Sequence, residues 1–166
     1  MCWNVTGLHG KFWGNTHSSY HFLNYIKQFK IIGLTETWAK KTDNFDLDGF
    51  KSFSVVRSKT SEKGRYSGGI LVYVSNIYSK FTKCLKSISC NILWILIQMS
   101  KMGSQYDLLI GTVYISPENS SSFSEEDTFS ILENEILQFK EQLHNTEIII
   151  MGDMNGYTKT ENDFFN

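Results

Sequence analysis

Apolar residues recur along this chain in two rhythms. Phe22, Leu23, Ile26 and Phe29 share one face at 3.6-residue spacing, which predicts a helix from Asn15 to Phe29. Phe129, Leu132, Ile136, Phe139 and Leu143 form a second stripe of the same period. Glu125, Glu126 and Asp127 are expected in its first turn, where negative charge meets the positive end of the helix dipole. Elsewhere the apolar residues come in short dense runs that read as strands. These are expected at Cys2–Val5, 31–36, 50–56, 69–75, 92–98, 107–115 and Ile148–Met151. Ser116-Pro117 closes the run at 107–115, because proline cannot donate to a ladder.

The resulting order is strand, helix, strand, then several strands in succession, then helix and strand. Consecutive strands flanked by helical crossovers argue for sheets with helices outside them, not for a plain doubly wound sheet. Several runs are apolar on both faces, as a sheet covered on both sides requires. The expected class is α/β (α+β): a sandwich of sheets covered by helices.

The polar residues stand at strand ends. "IIIMGDMNGY" at 148–157 is expected to be a buried strand, yet it runs into Asp153 and Asn155. In an extended chain residues two apart face the same side, so these two leave the strand as a pair. The same residues also suit an Asx-type turn that bonds only local backbone. Asn4 lies in the first strand, Glu36 ends "IIGLTE" and Tyr114 stands near the end of "LLIGTVYI". Gathered at one sheet edge, two carboxylates and two amides form an oxygen-rich cluster of the kind that holds Mg²⁺ beside a phosphate. A cation there would polarise a phosphoryl oxygen and stabilise a leaving oxygen. Taken singly, Glu36 would pair with Lys40, Tyr114 would be a core residue and Asn4 would close a turn.

The chain has 166 residues, 41% of them hydrophobic and 14% aromatic, enough for a core. With a net charge of −1 there is no global basic signature of nucleic-acid binding. A local one exists in "RSKTSEKGR", where Lys59 and Lys63 lie between Arg57 and Arg65. That segment reads either as a solvated loop between strands or as a contact to phosphates. Cys2, Cys84 and Cys90 form no C-x-x-C pair, and an odd count suits a reducing compartment. The longest apolar run, "ILWILI" at 92–97, is too short to cross a membrane. The N-terminus lacks the charged start and apolar core of a signal peptide. The expected location is intracellular, in the nucleus or outside it, with no membrane partner.

"WNVTGL", "IIGLTETW", "GGILVYV", "GTVYISPENS" and "IIIMGDMN", in this order and spacing, resemble the endonuclease/exonuclease/phosphatase family. The resemblance is strongest to the apurinic-type endonuclease domains that precede the reverse transcriptase of non-LTR retrotransposons. It implies a four-layered αββα sandwich and a Mg²⁺-dependent phosphodiesterase, with Mn²⁺ as an alternative ion, acting on the DNA backbone. By motif, Glu36 resembles the metal-binding glutamate and Asn4 the first-strand asparagine beside it. Tyr114 is similar to the tyrosine at the scissile phosphate. Asp153 resembles the aspartate that orients or deprotonates the attacking water, with Asn155 as its partner. Hydrolysis needs an aligned nucleophile, a base in reach and positive charge on the phosphoryl oxygens.

Two features depart from that pattern. Thr6 stands where apurinic endonucleases often carry an aspartate, which leaves a second metal contact there without its ligand. The serine/aspartate/histidine segment that the resemblance implies after "GDMN" does not match His9, His17, His21 or His144, which all precede it. The expectation is therefore one partial domain over 1–166, incomplete at its C-terminus and inactive as it stands. The same fold acting on a lipid or small phosphoester, and a non-catalytic remnant, are the alternatives.

Overall fold

The computed structural model describes residues 1–14, 17–57, 66–117 and 127–155. Its eight strands form two four-stranded sheets. Sheet A holds β1 (Cys2–Asn4), β2 (Ile31–Thr35), β3 (Phe50–Val55) and β4 (Ile70–Ser75), in the order β1-β2-β4-β3. Sheet B holds β5 (Thr82–Leu85), β6 (Ile92–Ile97), β7 (Asp107–Tyr114) and β8 (Thr146–Asp153), in sequence order. Only β1–β2 and β7–β8 are parallel. Those are the two pairs whose strands are joined through helices, as parallel pairing demands.

Side-chain alternation sorts the core into three layers. Ile32 and Leu34 of β2 and Leu71 and Tyr73 of β4 pack under α1 (His9–Trp13) and α2 (His17–Ile26), with Phe22 and Ile26 from α2. Ile70, Val72 and Val74 of β4 meet Leu93, Ile95, Ile97, Ile110 and Tyr114 between the sheets. Trp94, Leu96, Leu109 and Val113 pack on Leu132 of α4 (Thr128–Gln142). The molecule is thus helices, sheet, sheet, helix. The strands β4 and β6 are buried along their whole length, as their two-faced apolar runs predict. A short helix α3 (Asn76–Ser79) and a 3-10 turn at Met99–Met102 connect strands at the far end.

Several sequence expectations need correction. The short α1 and β5 were not expected, because five and four residues are too few to show a period. Glu36 lies beyond the end of β2, with φ +56°. Asp127 is the N-cap of α4 and not part of its first turn; its carboxylate accepts from the Ser130 N–H (3.1 Å) and hydroxyl (2.6 Å). Those bonds hold the Asp127 carboxyl below its ordinary range. Glu125 and Glu126 lie outside the described residues, as do Asn15 and the stretch from 58 to Arg65. The strand expected at Ile148–Met151 is longer, and it is not fully buried: Ile149 is 48% exposed. It pairs with β7 alone, so one flank and part of one face lack a strand neighbour among the described residues.

A buried carboxylate also joins sheet B to its helix. Glu135 of α4, 7% exposed, accepts from the Ser87 hydroxyl (2.9 Å), the Ile88 N–H (3.0 Å) and the Trp94 indole N–H (2.6 Å). A buried carboxylate is tolerable only when donors replace the water it loses.

Candidate functional site at the strand ends

β1 and β2 run parallel with Asn4 opposite Thr35, and β7 and β8 run parallel with Tyr114 opposite Asp153. In each sheet these are the last strand residues, and they face the layer between the sheets. The two sheets meet there: Asn4 Nδ2 donates to Asp153 Oδ2 at 2.7 Å. Gly33 allows the close approach, because a Cβ would lie 2.7 Å from the Met151 methyl and 3.2 Å from Thr112.

Asn4 is fixed at both ends of its amide. Its Oδ1 accepts from the Thr6 N–H (3.1 Å) and the Thr6 hydroxyl (3.2 Å), so its Nδ2 must face Asp153. Thr6, at the position of the expected aspartate, orients Asn4. On the other side, Asp153 Oδ1 accepts from the Asn155 N–H at 3.3 Å. Asn155 Nδ2 donates to the Ile115 carbonyl at 2.8 Å, tying the turn to the end of β7. The Asx turn and the inter-sheet pair therefore coexist, one on each oxygen of Asp153. Gly152, at φ +150°, is obligatory in this turn, since a Cβ would lie 1.9 Å from the Val113 carbonyl oxygen. Tyr114 is 2% exposed, and its ring lies in the core between the sheets.

Glu36 follows Thr35 directly. Its carbonyl accepts from the Gly7 N–H at 2.7 Å, and its neighbours Thr37 and Trp38 bond to Gly69 and Gly68. The segment is strapped on both sides. Its carboxylate Oε2 accepts from the Trp38 indole N–H and from the Gly68 N–H (3.0 Å). Oε1 has no hydrogen-bond partner among the described residues. The Trp38 ring lies against Gly7, where a Cβ would come within 2.7 Å of it. Of the five described non-glycine residues with positive φ, four are here: Thr6, Glu36, Trp38 and Asn155. Such backbone is costly, and it concentrates at functional sites.

Two cations of the described residues lie near: the Lys11 ammonium donates to the Val5 and Gly7 carbonyls, on either side of Thr6. Arg57, just after β3, donates to the Ser116 hydroxyl at 3.0 Å and so bridges the two sheets at this same end. Val55 pairs with Ile70, which pairs with Thr35, so Arg57 stands at the site end; Lys59, Lys63 and Arg65 lie outside the described residues. Cys2, two residues before Asn4 on the same face of β1, has its thiol pushed up by burial, with the Asp153 carboxylate adding to the effect.

No described group of three or more histidine, cysteine or carboxylate side chains could cage a metal. A hard divalent cation held by one carboxylate plus waters is another matter. Glu36 Oε1, without a hydrogen-bond partner among the described residues, is a single hard oxygen donor, of the type that suits Mg²⁺ or Mn²⁺ better than a thiophilic ion.

Sequence reasoning missed Trp38, Gly68 and the orienting role of Thr6. Trp38 stands two residues after Glu36, the same spacing that singled out Asp153 and Asn155. The paired Gly68-Gly69 marks a close backbone approach.

No protein-family model and no curated protein matches this sequence. Solved structures do. An AP endonuclease from Archaeoglobus fulgidus superposes with a TM-score of 0.58 at 12% identity, covering 96% of this chain and 58% of that one. An endonuclease/exonuclease/phosphatase family protein from Leptotrichia buccalis gives 0.52 at 13% identity, covering 93% and 67%. The human Nocturnin catalytic domain gives 0.50 at 14%, covering 93% and 62%. The fold is the α/β sandwich of the endonuclease/exonuclease/phosphatase type. The chain spans somewhat over half the length of the AP endonuclease and of the Nocturnin domain. Among the described residues no helix is long and apolar enough to cross a membrane.

Proposed function

We propose that this chain carries part of a Mg²⁺-dependent phosphodiesterase centre that nicks DNA, of the kind found in non-LTR retrotransposon endonucleases. The observation that carries the reading is the Asn4–Asp153 bond across the sheets, beside a Glu36 carboxylate fixed through one oxygen only. The likeness to an AP endonuclease supports a DNA substrate, and the partial coverage of these neighbours supports a partial domain over 1–166.

In this reading Glu36 Oε1 would hold the cation, with Asn4 beside it. A bound Mg²⁺ would supply positive charge to a phosphoryl oxygen and to the leaving oxygen. Asp153 is the acceptor for the proton of the attacking water. Asn4 and the Asn155 N–H hold its carboxylate in one orientation, which aligns the nucleophile before reaction. Asn155, and Tyr114 at the end of β7, would be the groups that meet the scissile phosphate. Arg57, with Lys59, Lys63 and Arg65 beyond it, meets the flanking backbone phosphates.

The test is a supercoiled-plasmid nicking assay with Mg²⁺, comparing the chain alone and within its reading frame against Glu36→Gln and Asp153→Asn. Nicking abolished by both variants supports the proposal. Hydrolysis of a small phosphodiester without nicking moves the substrate to another phosphoester. A folded protein with neither activity nor Mn²⁺ binding makes it a non-catalytic remnant.

A further inference from the structure

We infer that His17 and His21 form a chelating site for a borderline first-row divalent cation, of the Zn²⁺ or Ni²⁺ class, on the outer face of α2. The two rings lie one helical turn apart, with Nε2 atoms 2.8 Å from each other and ring centroids at 4.3 Å and 87°. In that pair one nitrogen donates and the other accepts, so at least one lone pair already points into the gap. Transfer of the donor ring's proton from Nε2 to Nδ1, the other neutral tautomer, turns both lone pairs toward a single point. Zn–N distances of about 2.0–2.1 Å in a tetrahedral arrangement need nitrogens a few tenths of an ångström further apart than they are, an opening that two exposed side chains can make.

The helix is built to hold this geometry. Phe22 and Ile26 bury the opposite face of α2 in the core. Ser19, on the turn between the histidines, is buried and donates to the Gly10 carbonyl at 2.9 Å, fixing the first turn against α1. Both histidines are exposed, so water can complete the coordination shell. Imidazole selects Zn²⁺, Cu²⁺ or Ni²⁺, whereas the oxygen donors around Glu36 select Mg²⁺. The two sites therefore separate by metal class, and this one does not depend on the phosphodiesterase reading.

Zn²⁺ titration of the intact chain by calorimetry, in excess Mg²⁺ and at neutral pH, tests the site. One equivalent is expected to bind through it. His17→Ala and His21→Ala should each weaken that equivalent by about 100-fold or more, because a lone imidazole loses the effective concentration of its partner. His144→Ala, and Cys84→Ser with Cys90→Ser, should leave it in place. Circular dichroism of the two alanine variants should match the parent, since both positions are solvent-facing. Binding insensitive to His17 and His21, or lost with His144 or the cysteines, would overturn the assignment.

Discussion

Asn4 and Asp153 stand 149 residues apart in the chain and 2.7 Å apart in the fold, one on each sheet. Their bond is the only described side-chain to side-chain hydrogen bond from β1 to β8, and it forms where both strands end. Replacing Asn4 with alanine removes the donor and leaves Thr6 without its acceptor. Hydrogen bonds to charged groups contribute about 1.5–3 kcal/mol. Urea denaturation should show a loss of that size, with an unchanged slope. A smaller effect, under half a kilocalorie, would mean the sheets are held at this end by packing alone.

Trp38 and Gly68 together fix one oxygen of Glu36. On the proposed function, Trp38→Phe keeps the ring over Gly7 but removes the N–H. Residues that orient a metal ligand typically contribute about 10–100-fold to metal affinity. Mn²⁺ affinity measured by paramagnetic resonance should fall within that range, with little change in melting temperature. Trp38→His, which keeps a ring donor, should recover part of it. If Glu36→Gln abolishes Mn²⁺ binding while Trp38→Phe leaves it intact, the indole has no orienting role.

Glu135 predicts a stability effect of its own. Its replacement by leucine would strand the indole N–H of the fully buried Trp94, whereas Ile88, 81% exposed, can turn its N–H to water. One buried unsatisfied donor costs about 1–3 kcal/mol, and the variant should lose that much in chemical denaturation. Ser87→Ala, which removes one donor and leaves the others, should cost less than half as much.

Tyr73 makes the fold sensitive to alkali. Its buried hydroxyl donates to the Phe45 carbonyl at 2.5 Å. Burial pushes its pKa well above the ordinary range, with Asp46 adding to the effect. Above about pH 10 the unfolded chain releases this proton while the folded chain keeps it, so the folded state binds more protons. The contribution is complete below pH 10 and falls with rising pH, by about 1.4 kcal/mol per unit. Denaturation curves between pH 9 and 11.5 should show a shallower decline for Tyr73→Phe than for the parent. Parallel declines would assign the alkaline loss to other groups.

The sequence by itself determined the elements whose pattern is long or dense: the stripes of α2 and α4, the fully buried β4 and β6, and the polar residues at strand ends. These follow from local periodicity, which needs only neighbours in the chain. It did not show α1 or β5, which are shorter than one readable period, nor that "IIIM" sits in a strand paired on one flank only among the described residues. What tertiary structure alone decided is how the strand ends are joined. That Asn4 turns its amide to Asp153, that Thr6 orients it, and that Trp38 and Gly68 grip Glu36 all depend on which strands lie side by side. Sheet order is set by packing between layers, and a single side chain carries no record of its partner across the sandwich.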